Sequence, residues 1–216
     1  MESLSIIAML SISGGLLSLL CLVVLHFVSP EYHPGWRMVS EYALGKHKWL
    51  LTLFFISWGI CSILLAFLLG NVVAGAWPTV GVVLVFISGA GALMGGLFDV
   101  KHKLHGFSAM LGIPTLPVGA LIISHHLIKI ERWQVHQPVL LLSAHAVWIS
   151  LVLMAVSMML LFSGFKKAGM PMGPNVEPPK TLPAGVIGIN GYANRLLIIC
   201  YIAWSISISV VFFSQH

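Results

Sequence analysis

Charge is what this 216-residue sequence holds least of. Lysine, arginine, aspartate and glutamate together make up 8% of it, against about 25% in a soluble domain. Hydrophobic residues reach 58%. A water-soluble domain of this length cannot cover itself with so few polar groups, which places the chain in a bilayer. Cysteine is nearly as scarce. Cys21, Cys61 and Cys200 each sit alone inside an apolar run, which excludes a disulfide framework or a CxxC metal site and leaves them as small apolar packing groups. Catalytic signatures are missing too: there is no GxSxG elbow, HExxH pair or glycine-rich phosphate loop. Only Asp99 approaches an apolar run, so the ladder of intramembrane carboxylates that a proton-coupled transporter uses is absent.

What is present is length and apolarity. Windows of about 19 residues predict six spans: Ile6–Val28, Trp49–Leu69, Thr79–Phe98, Phe107–Leu127, Val139–Phe162 and Leu196–Phe213. Each is close to the roughly 20 residues that cross a bilayer core. The expected fold is all-α, one integral membrane bundle of six transmembrane helices over residues 1–216, with no internal repeat and no separate soluble domain. Its start, MESLSIIAMLSISGG, lacks a basic stretch and reads as a spanning helix rather than a cleaved leader. Pro114 and Pro117 predict a kink or local unwinding in the fourth span. In the third, Gly91 and Gly95, with Ala92 and Gly96 beside them, predict a face for close helix approach, within the bundle or between copies of the chain.

The few basic residues are unevenly placed. Arg37, Lys46, Lys48, Lys101, Lys103, Lys166, Lys167, Lys180 and Arg195 fall in the odd-numbered connections, and only Lys129 and Arg132 fall on the other side. The bias predicts cytoplasmic odd connections and both termini outside. The net charge of +5 is thereby a topogenic signal and gives no ground for a nucleic-acid partner. The fifth connection, rich in proline and glycine, reads as an extended segment.

Two polar stretches break the apolar pattern. In the first connection, Pro34 and Gly45 suit the start and end of a short interfacial helix, on which His33, Arg37 and Glu41, spaced four apart, share a face. The second is FDVKHKLHG, residues 98–106. If it continues the third helix, Asp99, His102 and His105 fall within an arc of about 120°, a donor set that zinc accepts. Otherwise it is a charged turn whose cations complement a helix end. His145 is the best intramembrane histidine, near His125, His126 and His136. Haem b is the other cofactor weighed, through His26 with His105 or through His125 or His126 with His145. His105 and His125 are about 30 Å apart along one helix, which sets the two pairs at opposite membrane edges.

The run VSEYALGKHKWLLTLFFISWGICSILLAFLL (39–69), followed by GAGALMGGLFDVKHKLHG (89–106), resembles the domain-of-unknown-function 998 membrane proteins. The matching positions are Ser40, Glu41, Gly45, Trp49 and Leu50, then Phe98, Asp99, His105 and Gly106. The resemblance implies a multi-pass helical bundle, mostly bacterial or archaeal, with unassigned chemistry. Both matching stretches lie on the expected cytoplasmic face.

These features point to a non-catalytic protein that binds or passes a small or lipidic ligand through a polar pocket at that face. Arg37, Ser40, Glu41, Asp99, His105 and His145 are the expected ligand-contacting residues, with Arg37 suited to an anionic lipid headgroup. The alternative is a metal-dependent lipid hydrolase with His33, His102 and His105 as ligands, Asp99 orienting one of them and Glu41 as general base. A haem b carrier and an accessory subunit of a membrane complex are further expectations. Membrane lipids are the expected partners.

Overall fold

The computed structural model describes residues 2–171, 173, 176, 179 and 181–215. Lys180, one of the basic residues counted above, lies outside the described residues. Those described form seven helices: α1 (Glu2–Val28), α2 (Lys48–Gly70), α3 (Ala76–Leu97), α4 (His105–Leu127), the single turn α5 (Glu131–Gln134), α6 (Gln137–Lys167) and α7 (Asn190–Ser214). A 3₁₀ helix, Val39–Leu44, lies in the first connection, and no strand occurs among the described residues. Six helices are long and apolar enough to span a bilayer, and the protein is a multi-pass membrane protein.

Local chemistry explains the helix ends. Gly75 takes φ 102° and turns the chain into α3, where Pro78 falls within the first turn and its missing N–H costs no helical bond. Pro138 does the same for α6, which ends on Lys166 and Lys167, cations suited to the negative end of the helix dipole. The helix α7 begins six residues before the predicted sixth span. A hydropathy window rejects Asn190, Asn194 and Arg195, but none of them breaks a helix.

The long helices pack as a closed ring in the order α1, α2, α3, α4, α6, α7 and back to α1, with α2 and α7 also meeting across it. Those two are the most buried. Little hydrophobic force acts between helices in lipid, so close approach and polar contacts hold them. Ser11 Oγ on α1 donates to the Cys61 carbonyl (3.0 Å) on α2 and shares a hydrogen bond with Ser209 Oγ (2.9 Å) on α7. Trp204 Nε1–H donates to Ser124 Oγ at 3.1 Å.

The glycine-rich face of α3 serves both of its neighbours. A Cβ on Gly91 would meet Gly112 N on α4 at 2.5 Å, and one on Gly89 would meet the Gly59 carbonyl on α2 at 3.0 Å. The expected close approach is therefore made within the bundle. The fourth span also runs as one helix through both prolines. Pro117 has no N–H for the Ile113 carbonyl four residues back, and the Tyr201 hydroxyl of α7 donates to that oxygen at 2.5 Å. A tertiary bond thus replaces the helical one, as buried backbone in lipid requires.

Candidate functional site

The odd-numbered connections meet at one end of the bundle. The N–H of Gly191, opening α7, donates to the Gly35 carbonyl in the first connection at 2.8 Å, and Lys48 of α2 pairs with Asp99 after α3 at 2.5 Å. Two polar features are built there, side by side.

The first is a lock around Arg195. This side chain is 7% exposed, and its guanidinium is spent on protein. Nε–H donates to His26 Nε2 at 2.6 Å. Nη1 donates to the carbonyls of Pro34 (3.2 Å), Arg37 (2.7 Å) and Gly191 (3.0 Å). Nη2 donates to the Tyr42 hydroxyl at 3.0 Å. Because His26 Nε2 accepts, its Nδ1–H donates to the Leu22 carbonyl (2.7 Å). Arg37, also buried, forms an ion pair with Glu41, lies over the Tyr32 and Trp36 rings and donates to the Pro179 carbonyl at 3.2 Å. Burial pushes the Glu41 carboxyl above its usual range, against the pull of Arg37. The chemistry of this cluster is fastening: it ties the first connection to α1 and α7.

The second feature is a cleft with about 110 Å³ of free space, bounded by the 3₁₀ segment, α2, α3, α4 and α7. Ser40 and His105 line it, as do the aromatic rings of Phe55 and Trp58. Trp58 lies ten residues into α2, about 15 Å along it, and packs edge-on against Tyr201 at 6.1 Å between ring centroids. Some polar neighbours are already satisfied: Ser88 Oγ donates to the Gly112 carbonyl (2.9 Å) and Ser108 Oγ to the His105 carbonyl (2.7 Å). Others are not. Trp58 is 7% exposed, and its indole N–H has no acceptor among the described residues. Asn194 accepts the Val39 N–H through Oδ1 at 2.9 Å, which leaves its amide N–H groups for the cleft that it lines.

The expected site residues divide among several places. Ser40 and His105 do meet in the cleft. Both also line a narrow recess beside it that contains Asp99 and Lys48. Arg37 and Glu41 belong to the lock instead, since the helix expected over Pro34–Gly45 forms only as the 3₁₀ turn from Val39, with Met38 N–H capped by Glu41 Oε1 at 3.1 Å. His145 is at the other end of the bundle. There it accepts the Trp148 indole N–H at 2.8 Å and meets His125 at 5.9 Å between ring centroids.

The three histidines considered as zinc ligands are each engaged locally. His33 Nδ1 accepts the Gly35 N–H (3.1 Å) and His102 Nδ1 the Leu104 N–H (3.1 Å), while His105 Nδ1–H donates to the Phe98 carbonyl (2.9 Å). The chain between α3 and α4 is a series of turns, so Asp99, His102 and His105 do not share a helical arc. Among the described residues, no three His, Cys, Asp or Glu side chains converge as a metal set. Sequence reasoning missed Trp58, Asn194, Tyr42 and the buried role of Arg195. Only Arg195 carried a signal, as a charge at the edge of an apolar run.

The family described as protein of unknown function (DUF998) matches this chain over residues 12–211. The chain belongs to that family. No curated protein and no solved structure matches it. For this DUF998 protein the match reaches beyond the two stretches that carried the resemblance and takes in α6 and α7, hence Asn194 and Arg195.

The Lys48–Asp99 pair gives a pH-dependent expectation. The hydrogen bond from Lys48 holds the Asp99 carboxyl below its usual range. A carboxylate lowered by folding contributes stability above its unfolded pKa of about 3.9 and loses it as pH falls through the folded value. Asp99→Asn should therefore cost up to about 1 kcal/mol at pH 7 in detergent, with the difference from wild type beginning to shrink near pH 4 and gone only in acid below the lowered folded value. Thermal unfolding at the two pH values checks this; a gap unchanged in acid would refute it.

Proposed function

We propose that this DUF998 protein binds an apolar or amphipathic membrane ligand in the cleft between α2, α3, α4 and α7, at the end of the bundle where the basic connections gather. The observation that carries the reading is the cleft itself, with aromatic and small apolar walls, Ser40, His105 and Asn194 in its lining, and a Trp58 indole N–H that has no acceptor among the described residues. Ligand sites have this make-up, mostly apolar with a few placed polar groups. The basic bias of the odd connections supports a cytoplasmic location for this end. A lipid or lipid-like molecule already dissolved in the membrane needs no aqueous path to reach it.

In this reading Ser40 and His105 hold the polar end of the ligand. Asp99 sets the rim through Lys48, while Arg37 and Glu41 keep the first connection in place. The test fills the space. Ala109 lines the cleft on α4, and Ala109→Phe is expected to lower retention of co-purifying lipid about tenfold, the equivalent of about 1.4 kcal/mol. Quantitative lipid extraction from folded wild-type and variant protein measures it. Equal retention by the two proteins would end the cleft assignment.

A further inference from the structure

We infer that the ligand is neutral and carries a carbonyl oxygen into the cleft, where the Trp58 indole N–H receives it. The inference rests on the cleft being the binding site and adds the chemistry of its occupant.

Two observations carry it. The first is charge. No lysine, arginine, aspartate or glutamate is among the described residues that line the cleft. Charges near it are already spent: Lys48 on Asp99, Arg37 on Glu41, and Arg195 on five acceptors. An ionised ligand group drawn into this space would lose its hydration and meet only the His105 imidazole, with no lysine, arginine or carboxylate among the described lining residues, and burying an ion without a full counter-charge costs several kcal/mol. A neutral molecule meets no such penalty, so the anionic headgroup expected at Arg37 does not suit this site.

The second observation is donor excess. An indole nitrogen only donates, and a buried donor without an acceptor is costly. Trp58 is over nine-tenths buried, lines the cleft and has no acceptor among the described residues. Asn194 lines the cleft beside it, and the Val39 N–H engages its Oδ1, not its amide N–H groups. These N–H groups outnumber the one ring acceptor, His105 Nε2, left bare because Nδ1–H is held by the Phe98 carbonyl, and the excess calls for an oxygen with lone pairs. The Phe55 and Trp58 rings, stacked with an interplanar angle of 14°, favour a flat apolar group beside that oxygen. Within a membrane this chemistry comes from an acyl ester or a quinone ring.

The experiment uses full-length protein in maltoside micelles, with ¹⁵N on the tryptophan indoles. The chain has seven tryptophans, and Trp58→Phe assigns the resonance of interest. Three neutral probes are titrated: a decyl-substituted benzoquinone, a monoacylglycerol, and decylbenzene, which has a ring and tail but no carbonyl. Oleate is the charged fourth. A carbonyl probe should move the Trp58 indole proton downfield, and decylbenzene should not. Trp58→Phe should weaken that carbonyl probe about five- to tenfold, the value of one hydrogen bond, and leave decylbenzene unchanged. Whichever carbonyl probe responds identifies the source.

If all neutral probes bind alike with no Trp58 shift, the inference falls and the cleft reading stands. Tighter binding of oleate than of monoacylglycerol overturns the neutrality. If no probe binds folded wild-type protein, the cleft reading falls as well. The indole shift is read on wild-type protein, so the result does not depend on the variant folding.

Discussion

Arg195→Met is expected to cost about 3–5 kcal/mol of stability, the range for breaking a buried polar network by removing one partner. Methionine keeps the apolar stem of arginine but neither its full reach nor any of its donors. The loss strands His26 Nε2, the Tyr42 hydroxyl and the carbonyls of Pro34 and Arg37, all held at 2.6–3.2 Å in the wild type. Each is a buried or half-buried acceptor that then lacks a donor. The Arg195 guanidinium also lies 5.7 Å from the centre of the Tyr42 ring, and methionine removes that cation–π attraction as well. Arg195→Lys should recover less than half of the loss, because one ammonium with three donors cannot reproduce a five-donor fork. Denaturant or thermal unfolding in detergent measures both variants. A shift under about 1 kcal/mol for methionine would show that other interactions hold the first connection, since that is the size of one ordinary hydrogen bond.

The second large effect is expected at Gly91. An alanine Cβ there would stand 2.5 Å from Gly112 N, 2.7 Å from Gly112 Cα and 2.9 Å from the Ser108 carbonyl. All three atoms are backbone, so no side chain can turn aside and α3 must move away from α4. Overpacking of this kind costs about 1–3 kcal/mol. Both glycines line the cleft, so Gly91→Ala should also reduce ligand retention. The matched control is its neighbour. A Cβ on Gly112 would find its nearest atom at 3.6 Å, an ordinary separation, and alanine favours the helix by up to about 1 kcal/mol over glycine. Gly112→Ala should therefore be neutral or mildly stabilising. Comparing the two unfolding midpoints checks the geometry, and equal losses would contradict it. Gly95, four residues on, has its nearest neighbour at 3.4 Å, on the Phe55 ring. The spacing that marks Gly91 and Gly95 as a pair does not separate them; the neighbouring helices do.

Much of the architecture was legible along the chain, and the reason is that hydropathy is a local sum. A window of about 20 residues contains what decides whether a segment can cross a bilayer, and the six predicted spans correspond to α1, α2, α3, α4, α6 and α7. Small residues on α3 announced a close approach, and two separate polar stretches supply Ser40 and His105, which line one cleft. The local ladder also exposes where such reading misleads. Asp99, His102 and His105 share an arc only on a helix, and the chain leaves α3 at Phe98 in an extended conformation.

By itself, then, the sequence determined the class, the number of spans and the end of the bundle where polar groups gather. The tertiary structure alone decided which polar groups meet. Arg195 counts, in sequence, among the basic residues that mark connections, yet it is buried within α7. Its partners Tyr42 and His26 lie 153 and 169 positions away, a separation that leaves no periodic trace. Trp58 and Asn194 sit in or beside apolar runs like many other residues. They become a donor-rich cleft only because the ring of helices brings α2, α3, α4 and α7 together, and because the hydrocarbon of a bilayer, unlike water, offers their N–H groups no acceptor.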